Sequence, residues 1–599
     1  MRSLEDLNLE KITADREYFP SPESWEDEIL YFLLADRFSD GQEQIAYNPE
    51  TDFENALRDD RERERWHRCA DRWNGGTLAG IKSKLDYLRE LGISAIWISP
   101  IFRQVAFEES FHGYGIQNFL AVDPHFGSRD DLRELVAAAH QRGIRVVLDI
   151  ILNHAGNVFA YQDGEPEYNG EHFPIKGFRD RHGDPSLSAE SPDFELAWPD
   201  GGIWPRELMR PESFSRKGHI VDWENYPEYA EGDFFALKSI HTGTRREDGE
   251  FEPSEALAAL AACYKFWIAD ADVDGFRLDT VKHLEFGATR WFAREIHEFA
   301  RTLGKGNFYI LGEITGGFEF AFEAMKKTGL DAALGINRIP EKLEGVAKGR
   351  VGAGEFFELF SNSKLLGEDE YKWYRSNVVT MFDDHDMVVQ HGDKSRFCAD
   401  RETAPLLINA LFLNLMSPGI PCIYYGTEQG FDGSGDSDRY VREAMFGGGF
   451  GAFRTVGRHF FNRGNPVFRE LSRMVGIRQE LLAIRQGRVY LREIDLGDSH
   501  FGWPAPPEGQ RYQGMIAWSR ILSGEEIVCA INCSLEHEQE TRAIIDSGLH
   551  RAGDRFECVY CSEHEREGET GETREEQGRI LLALRLPAAG CALWRKCRS

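Results

Sequence analysis

Four groups of polar residues follow short apolar runs of the sequence, where buried strands would end. Charged side chains there cost free energy unless they line a site, because their neighbours are buried. A carboxylate can act as a nucleophile, and a protonated carboxyl can act as a general acid. Any one group could be a structural ion pair, but four at successive strand ends favour a catalytic site. The groups are Asp149, Asn153 and His154; Arg277, Asp279, Lys282 and His283; Glu313; and His385 with Asp386.

The spacing within one group suggests how an acid could be kept ionised. Side chains of a strand alternate between its two faces, so Arg277 and Asp279 point the same way. A guanidinium is permanently charged and would hold the Asp279 carboxylate in its ionised form. We therefore expect Asp279 to be negatively charged beside Arg277.

The apolar runs predict parallel strands that are buried on both faces. Amphipathic helical stretches lie between them, such as 78–92 and 128–143, where Ser128 and Asp131 predict a helix start and Gly143 its end. Strand–helix alternation repeated about eight times predicts a (β/α)8 TIM barrel, with a doubly wound sheet as the alternative. The predicted strands are 28–38, 93–100, 144–154, 272–279, 307–313, 377–386 and 418–426, with a sixth in chain order near 331–337.

Two segments depart from this alternation. Residues 155–232 are rich in Pro, Gly, Asp and aromatics and are too long for a plain loop, which predicts a subdomain inserted after the third strand. From about residue 488 short strands and turns predict a C-terminal antiparallel β-domain. The predicted units are 1–154 for the first part of the barrel, 155–232 for the insert, 233–487 for the rest of the barrel and 488–599 for the β-domain.

Charge and composition narrow the classes of partner. A formal net charge of −31 disfavours nucleic acid and anionic membranes, which would repel the protein, and leaves a neutral substrate as the simpler interpretation. No apolar run reaches the roughly 18 residues that a membrane span needs. The start of the chain lacks a secretory signal, and ten cysteines over this length do not resemble a disulfide framework. We expect a cytoplasmic protein, or a secreted one whose signal has been removed.

Two local clusters have more than one interpretation. Cys558, Cys561 and His564, with Cys591 and Cys597 downstream, could bind zinc, or could be unpaired thiols on a strand and turn. The acidic loop 431–440 could bind calcium or shape a cleft, or could be a solvated Gly-rich turn.

Taken in order, the motifs resemble the α-amylase family of glycoside hydrolases over nearly the whole chain. Agreement extends to the stretch 73–102 and to HGY (112–114) and VDPHFGS (122–128). The motifs that carry the resemblance are DIILNH (149–154), GFRLDTVKH (275–283), GEIT (312–315) and FDDHD (382–386).

The resemblance implies a retaining mechanism with three acids. Asp279 would be the nucleophile, Glu313 the general acid/base, and Asp386 a third acid that grips sugar hydroxyls and raises the pKa of Glu313. The carboxyls of a retaining pair should lie about 5–5.5 Å apart.

The resemblance also implies substrate contacts. Tyr114 would form an aromatic platform under the sugar, and His154 and His385 would hydrogen-bond its hydroxyls. Lys282 and His283 lie where family members that cut α-1,4-linked glucans bind the sugar beyond the scissile bond. The full set of substrate-binding candidates is His112, Tyr114, His154, Arg277, Lys282, His283 and His385.

A structural calcium ion (Ca2+) is the cofactor that the resemblance implies. Asn153 resembles a family calcium ligand, the carbonyl of His283 a second, and Asp233 is a candidate from near the insert. One alternative is that Asn153 caps a turn. Another is that a basic side chain of the insert, such as Lys217 or Arg210, takes the place of the ion.

Three positions differ from the family pattern. Asp384 stands where the family usually has Asn, GIQNF (115–119) follows the tyrosine, and Thr77 stands where a calcium-binding subgroup has Asp. The first two lie near the sugar-binding face, and they therefore bear on substrate choice.

The resemblance implies hydrolysis of α-1,4 bonds in maltooligosaccharides or related glucans through a covalent glycosyl-enzyme. Transglycosylation or isomerisation, as in a glucanotransferase or trehalose synthase, is the nearest alternative, since both share that intermediate. A non-catalytic glucan-binding or regulatory barrel is more remote because Asp279, Glu313 and Asp386 are all present. The oligomeric state stays open.

Overall fold

Eight parallel strands form a sheet that closes on itself. They are β1 Leu30–Leu33, β2 Ala95–Ile98, β3 Arg145–Ile150, β4 Gly275–Leu278, β5 Tyr309–Glu313, β6 Ala332–Leu334, β7 Val379–Thr380 and β8 Ile420–Tyr424. Their order is β6–β5–β4–β3–β2–β1–β8–β7, and a parallel bridge between Ala333 and Val378 joins the two ends. The predicted TIM barrel is confirmed. This computed structural model describes residues 1–46, 70–194, 200–315, 317–335, 338–360, 376–387, 394–447 and 458–597.

The strands end earlier than the apolar runs predict. The clearest case is the run 377–386, of which only Val379–Thr380 is strand. The Asp384 carboxylate accepts the backbone N–H of Asp386 at 2.7 Å and of Met387 at 2.5 Å, which turns the chain out of the sheet. Asp279, His385 and Asp386 therefore lie in the loops that follow their strands, whereas Asp149, Arg277 and Glu313 lie among the last residues of theirs.

Helices pack around the barrel and separate its strands in the sequence. Ser128 and Asp131 form the predicted capping box, but the helix they start ends at His140, before Gly143. Gly143 follows in a turn with φ +72°, a conformation that glycine adopts without a steric penalty. The main helices are Leu78–Ser83, Leu85–Leu91, Arg129–His140, Glu255–Ala271, Phe286–Thr302, Phe318–Thr328, Ile339–Ala347, Leu407–Met416 and Pro466–Glu480.

Between β3 and helix Glu255–Ala271 the backbone is mostly irregular. A two-residue strand His154–Ala155 pairs with Lys238–Ser239, and Phe159–Tyr161 pairs with Ile175–Phe178. The short helix Glu228–Glu231 and the hairpin Gly243–Arg245 with Phe251–Pro253 complete the segment. The side chains of Phe159, Phe178 and Phe214 are buried against one another and form its apolar centre.

Two antiparallel sheets form the C-terminal part and share one apolar core. This confirms the predicted C-terminal β-domain. The first sheet contains Arg488–Leu491, Met515–Leu522, Glu525–Asn532, Cys591–Lys596, Arg555–Cys561 and Thr570–Glu572. The second contains Phe501–Gly502, Ile494–Asp495, Gln539–Ile545, Arg579–Leu586 and Arg574–Glu576.

The cysteines of this domain do not assemble the zinc site considered above. Cys558, Cys561 and Cys591 are buried, whereas His564 is exposed and lies 2.7 Å from Glu470. Across the described ranges there is no group of three or more His, Cys, Asp or Glu that could hold a metal ion. The interpretation as unpaired thiols fits this arrangement. In the same ranges, no helix is long and apolar enough to cross a bilayer.

Candidate active site

An open cavity of about 870 Å³ lies where β3, β4, β5 and β7 end. Below it a smaller cavity of about 30 Å³ shares two of its acids, Glu313 and Asp386. Among the predicted catalytic and substrate-binding residues, the large cavity is lined by His112, Tyr114, His154, Asp279, Lys282, His283, Glu313 and Asp386. Arg277 and His385 line the small one. The structure thus brings together all ten of them.

The Arg277 guanidinium joins three acids from three strands. In the register of the sheet, Arg277 of β4 lies opposite Asp149 of β3 and Leu311 of β5. Its Nη1 donates to Asp279 Oδ1 at 2.5 Å and to Asp149 Oδ1 at 3.0 Å. Its Nη2 lies 2.8 Å from Glu313 Oε2. One buried cation therefore compensates a cluster of carboxylates that would otherwise repel one another.

Burial and mutual repulsion raise the pKa of two of these acids. For Asp279, burial raises the pKa, the Arg277 charge opposes it and the Asp149 charge adds to it. Burial likewise raises the pKa of Asp149, against the pull of Arg277. Asp149 also accepts hydrogen bonds from Trp97 Nε1 and from the Tyr114 hydroxyl, both at 3.1 Å. These contacts fix Asp149 beneath the site and leave Asp279 at the cavity wall.

Glu313 has the properties of a group that exchanges a proton near neutral pH. Burial raises its pKa to about 7, and the charges of Asp279 and Asp386 act in the same direction. Arg277 and the backbone N–H of Thr280, which donates to Oε2 at 3.0 Å, oppose that shift. A carboxyl with this pKa can be protonated while a neighbouring carboxylate is ionised.

Asp386 behaves in the opposite way. Burial would raise its pKa, but His385, Arg442 and Arg277 outweigh burial and hold the pKa below its usual range. Arg442 Nη2 lies 2.5 Å from Asp386 Oδ1, and Arg442 Nε donates to the His385 carbonyl at 3.0 Å. Asp386 is therefore held as a negative charge, and it lines the large cavity together with Asp279.

Aromatic and imidazole rings form another wall of the site. The Tyr114 hydroxyl lies 2.8 Å from His385 Nε2, and the two rings are stacked with centroids 5.7 Å apart. The His112 ring also stacks on Tyr114, with centroids 5.7 Å apart. Burial lowers the pKa of His112, His154 and His385 to about 3 each, so all three are neutral hydrogen-bonding groups at neutral pH.

Lys282 and His283 line the side of the cavity that faces the insert. Lys282 Nζ lies 2.8 Å from Glu224 Oε1, and the His283 imidazole Nδ1 lies 2.7 Å from the Tyr229 carbonyl oxygen. Trp223 and Phe235 complete this wall, with ring centroids 5.1 Å apart.

Sequence reasoning missed several residues of the site. Arg442 follows the acidic loop 431–440, and nothing in its local sequence marks it as a partner of Asp386. Asp438 of that loop pairs with Lys394, and both line the cavity, which fits the interpretation that the loop shapes a cleft. Trp223 belongs to the insert and Phe235 lies just beyond its predicted end, in a region where aromatics are too frequent to single out.

Asp233, one of the three predicted metal ligands, is engaged with protein groups at both carboxylate oxygens. Asp233 accepts hydrogen bonds from the Tyr161 hydroxyl at 2.8 Å and from the Ser239 N–H at 2.9 Å. The Asn153 backbone carbonyl accepts the Ile240 N–H at 2.8 Å, and its side-chain Nδ2 lies 3.4 Å from His154 Nδ1. At His283 it is the ring that contacts the Tyr229 carbonyl, whereas the predicted ligand is the His283 backbone carbonyl. Asp233 also lies beside an ammonium group, that of Lys238 at 3.4 Å, so its surroundings do not fit the calcium ion predicted at Asn153, Asp233 and His283.

The family described as "Alpha amylase, catalytic domain" matches residues 32–446, which contain every acid of the site. The chain belongs to the α-amylase family. The resemblance to the α-amylase family of glycoside hydrolases that the motifs carry is confirmed. This family commonly binds structural calcium, but the groups around Asp233 do not fit the ion, as the preceding geometry indicates.

Individual relatives agree with the assignment of the chain to this family. An α-amylase of Streptomyces lividans is 28% identical over 455 residues, which are 69% of this chain and 47% of that protein. A cyclomaltodextrin glucanotransferase of Klebsiella oxytoca is 26% identical over 465 residues, 70% of this chain and 62% of that protein. The chain thus spans less than two thirds of either relative.

Solved structures share the fold. The α-amylase of Geobacillus thermoleovorans, determined with acarbose, superposes with a TM-score of 0.66. The match covers 96% of this chain and 100% of that one at 22% sequence identity, which shows the fold alone.

Proposed function

We propose that this enzyme hydrolyses α-1,4-glucosidic bonds of maltooligosaccharides or related glucans with retention of anomeric configuration. The observation that carries the proposal is that one guanidinium contacts both Asp279 and Glu313 in a cavity that Asp386 also faces. Such an arrangement supplies an ionised nucleophile and an acid that is protonated near neutral pH.

In the first step an Asp279 carboxylate oxygen attacks the anomeric carbon. The bond from that carbon to the leaving oxygen breaks, and Glu313 gives its proton to this oxygen. The products are a glycosyl ester on Asp279, an ionised Glu313 and a free sugar hydroxyl.

In the second step Glu313 takes a proton from water. The water oxygen attacks the anomeric carbon, and the ester bond to Asp279 breaks. Two displacements at one carbon restore its original configuration. Asp386, the neutral His154 and the neutral His385 would hold hydroxyls of the reacting sugar, and Tyr114 would lie beneath it.

The size and lining of the cavity support a glucan substrate. A cavity of about 870 Å³ has room for more than one sugar ring, and its rims combine charged groups with aromatic faces. Lys282 and His283 line the side expected for the sugar beyond the scissile bond. An α-amylase is among the relatives, and its name points in the same direction.

The test is release of reducing ends from maltoheptaose, with the anomer formed first identified by NMR. We expect the α-anomer from the wild type. Asp279→Asn should lose several orders of magnitude in turnover because an amide cannot form the ester. Asp130→Asn, a change of the same chemistry at an exposed helix position, is the control and should be fully active. Initial release of the β-anomer would contradict the proposal.

Transfer to a second sugar is the other candidate. Phe235 is 71% exposed and lines the cavity together with Trp223, so an acceptor sugar could stack there and exclude water. The relative from Klebsiella oxytoca is a glucanotransferase by name. Chromatography of maltoheptaose products separates the two outcomes, since transfer gives products longer than the substrate or cyclic ones. Phe235→Ala should lower any such transfer relative to hydrolysis.

We also propose the unit boundaries 155–232 for the insert and 488–599 for the β-domain, and a cytoplasmic location. The antiparallel pair His154–Ala155 with Lys238–Ser239 encloses the insert, and Arg488–Leu491 begins the C-terminal sheets. The nine cysteines in the described ranges are free, which suits a reducing compartment.

A further inference from the structure

A fully buried ammonium group lies at the junction of barrel and insert. Lys238 has no exposed side-chain surface, and its Nζ lies 2.8 Å from Glu165 Oε2 and 3.4 Å from Asp233 Oδ2. The same Nζ is 5.1 Å from the centre of the Phe159 ring and 4.8 Å from that of Tyr161. Two carboxylates and two aromatic faces therefore surround one positive charge.

This environment stabilises an ammonium that would otherwise be costly to bury. Removing a lone charged amine from water is unfavourable, and close carboxylates and ring faces can offset that cost. Burial raises the pKa of Asp233, and the Lys238 charge is the largest effect opposing that rise. The position is thus built around a cation that the chain itself supplies.

The same position is unsuited to calcium. Calcium takes six to eight oxygen ligands, whereas Asp233 already accepts hydrogen bonds at both oxygens, from Ser239 to Oδ1 and from Tyr161 to Oδ2. A divalent ion near Asp233 would also lie close to the Lys238 ammonium and be repelled in a medium of low dielectric constant.

The contacts of Lys238 connect parts of the chain that are far apart in sequence. Glu165 belongs to the first part of the insert, and Asp233 follows its predicted end. Lys238 belongs to the two-residue strand that pairs with His154–Ala155. His154 in turn lines the large cavity. The buried Lys238 charge therefore lies on the strand that pairs with a substrate-binding candidate.

We propose that the Lys238 ammonium replaces calcium as the cation that fastens the insert to the barrel, so that this enzyme is stable without bound calcium. The basic residues suggested from sequence do not have this role. Lys217 pairs with Glu231 at 2.7 Å and Arg210 with Glu255 at 2.5 Å, both in part exposed and neither in contact with Asp233. The inference concerns stability and does not depend on the proposed substrate.

The first experiment uses the wild-type protein. Its melting temperature is measured after dialysis against EDTA, and again with added calcium or magnesium. We expect the same value in all three conditions, because there is no calcium at this junction to remove. A melting temperature that falls in EDTA and is restored by calcium overturns the proposal.

The second experiment removes the charge. Lys238→Met keeps the length of the side chain but leaves Asp233 and Glu165 without their cation, so the melting temperature should fall by several degrees. Lys217→Met is the matched control, since it breaks a partly exposed pair of the same insert and should change the melting temperature little. Adding Asp233→Asn to Lys238→Met should recover part of the loss, because it removes the uncompensated charge.

Two outcomes contradict the proposal here: a Lys238→Met variant that melts like the wild type, or a double variant that melts no higher than the single one. Lys238→Arg covers the case in which the methionine variant does not fold. It keeps the positive charge and should melt above any variant that lacks it, and an arginine variant that loses as much as Lys238→Met also overturns the proposal.

Discussion

Arg277 Nη2 lies 2.8 Å from Glu313 Oε2. The cation that favours the ionised form of Asp279 therefore also favours the ionised form of the proposed acid. Burial decides the balance at Glu313, whose pKa is raised to about 7 despite Arg277. Asp279 has its shortest hydrogen bond to the same guanidinium, at 2.5 Å. The two carboxyls share one cation but are expected to differ in protonation at the working pH.

Replacing Arg277 should shift the whole pH profile. Without the guanidinium the pKa of both Asp279 and Glu313 rises, so both limbs of the bell-shaped dependence of kcat/KM move to higher pH. The maximum should fall by roughly 10²–10³ in Arg277→Gln, as for loss of one preorganised donor. Near-UV circular dichroism checks folding, and Arg246→Gln, at an exposed arginine paired with Glu252, is the control. A lower maximum with unmoved limbs would contradict this reasoning.

The alkaline limb should belong to Glu313. Above its pKa of about 7 the acid is deprotonated and cannot protonate the leaving oxygen, so kcat/KM should fall as pH rises through that region. Glu313→Gln should lose the limb and most of its activity on substrates with poor leaving groups, while aryl glucosides with good leaving groups are affected less. A variant that keeps the alkaline limb and cuts maltoheptaose well would assign the acid to another residue.

The family resemblance and the strand-end argument found the acids before the structure did. They work because each acid stands within a few residues of a short, continuous apolar run, so that local sequence marks both the strand and its end. The sixth strand, predicted near 331–337, is present as Ala332–Leu334. The shared cation Arg277 was also identified, since alternation puts it on the same face as Asp279.

Contacts made between distant segments could not be predicted in this way. Arg442 reaches Asp386 only because the loop after β8 folds back over the site, and no periodicity encodes that path. Lys238 is one lysine among many until Glu165 and Asp233 are seen beside it. The sequence correctly suggests that Asp233 lies beside a cation, but it does not indicate that this cation is the ammonium group of Lys238 and not a metal ion.

Asp384 should adjust the alkaline limb. Its carboxyl is partly buried and its pKa is raised to about 6, first by burial and then by Asp386, with Glu313 contributing. Charge interactions are mutual, so ionised Asp384 raises the pKa of Glu313. Asp384→Asn keeps an oxygen to accept the N–H groups of Asp386 and Met387 but removes the charge. We expect the alkaline limb of kcat/KM to move to lower pH by less than about one unit, with the acid limb little changed. Asp130→Asn is the control for removal of a remote charge. An alkaline limb that moves to higher pH in Asp384→Asn would contradict this prediction.

Arg442 should act as a positioning residue for Asp386. Its Nη2 lies 2.5 Å from Asp386 Oδ1 and its Nε is bonded to the backbone beside it, so one side chain fixes both the charge and the direction of that carboxylate. Asp386 is proposed to hold hydroxyls of the distorted sugar, an interaction that strengthens in the transition state. Loss of Arg442 should therefore lower kcat more than it raises KM, and should raise the pKa of Asp386 so that kcat/KM declines at a higher pH on the acid side. Arg442→Gln tests this prediction, and Arg442→Lys tests whether the positive charge alone is sufficient. Lysine restores the attraction to Asp386 but not the second hydrogen bond, so Arg442→Lys should recover the acid limb of the pH profile and only part of kcat. A purely structural role would instead lower the melting temperature and leave the pH profile and the ratio of the two kinetic effects unchanged.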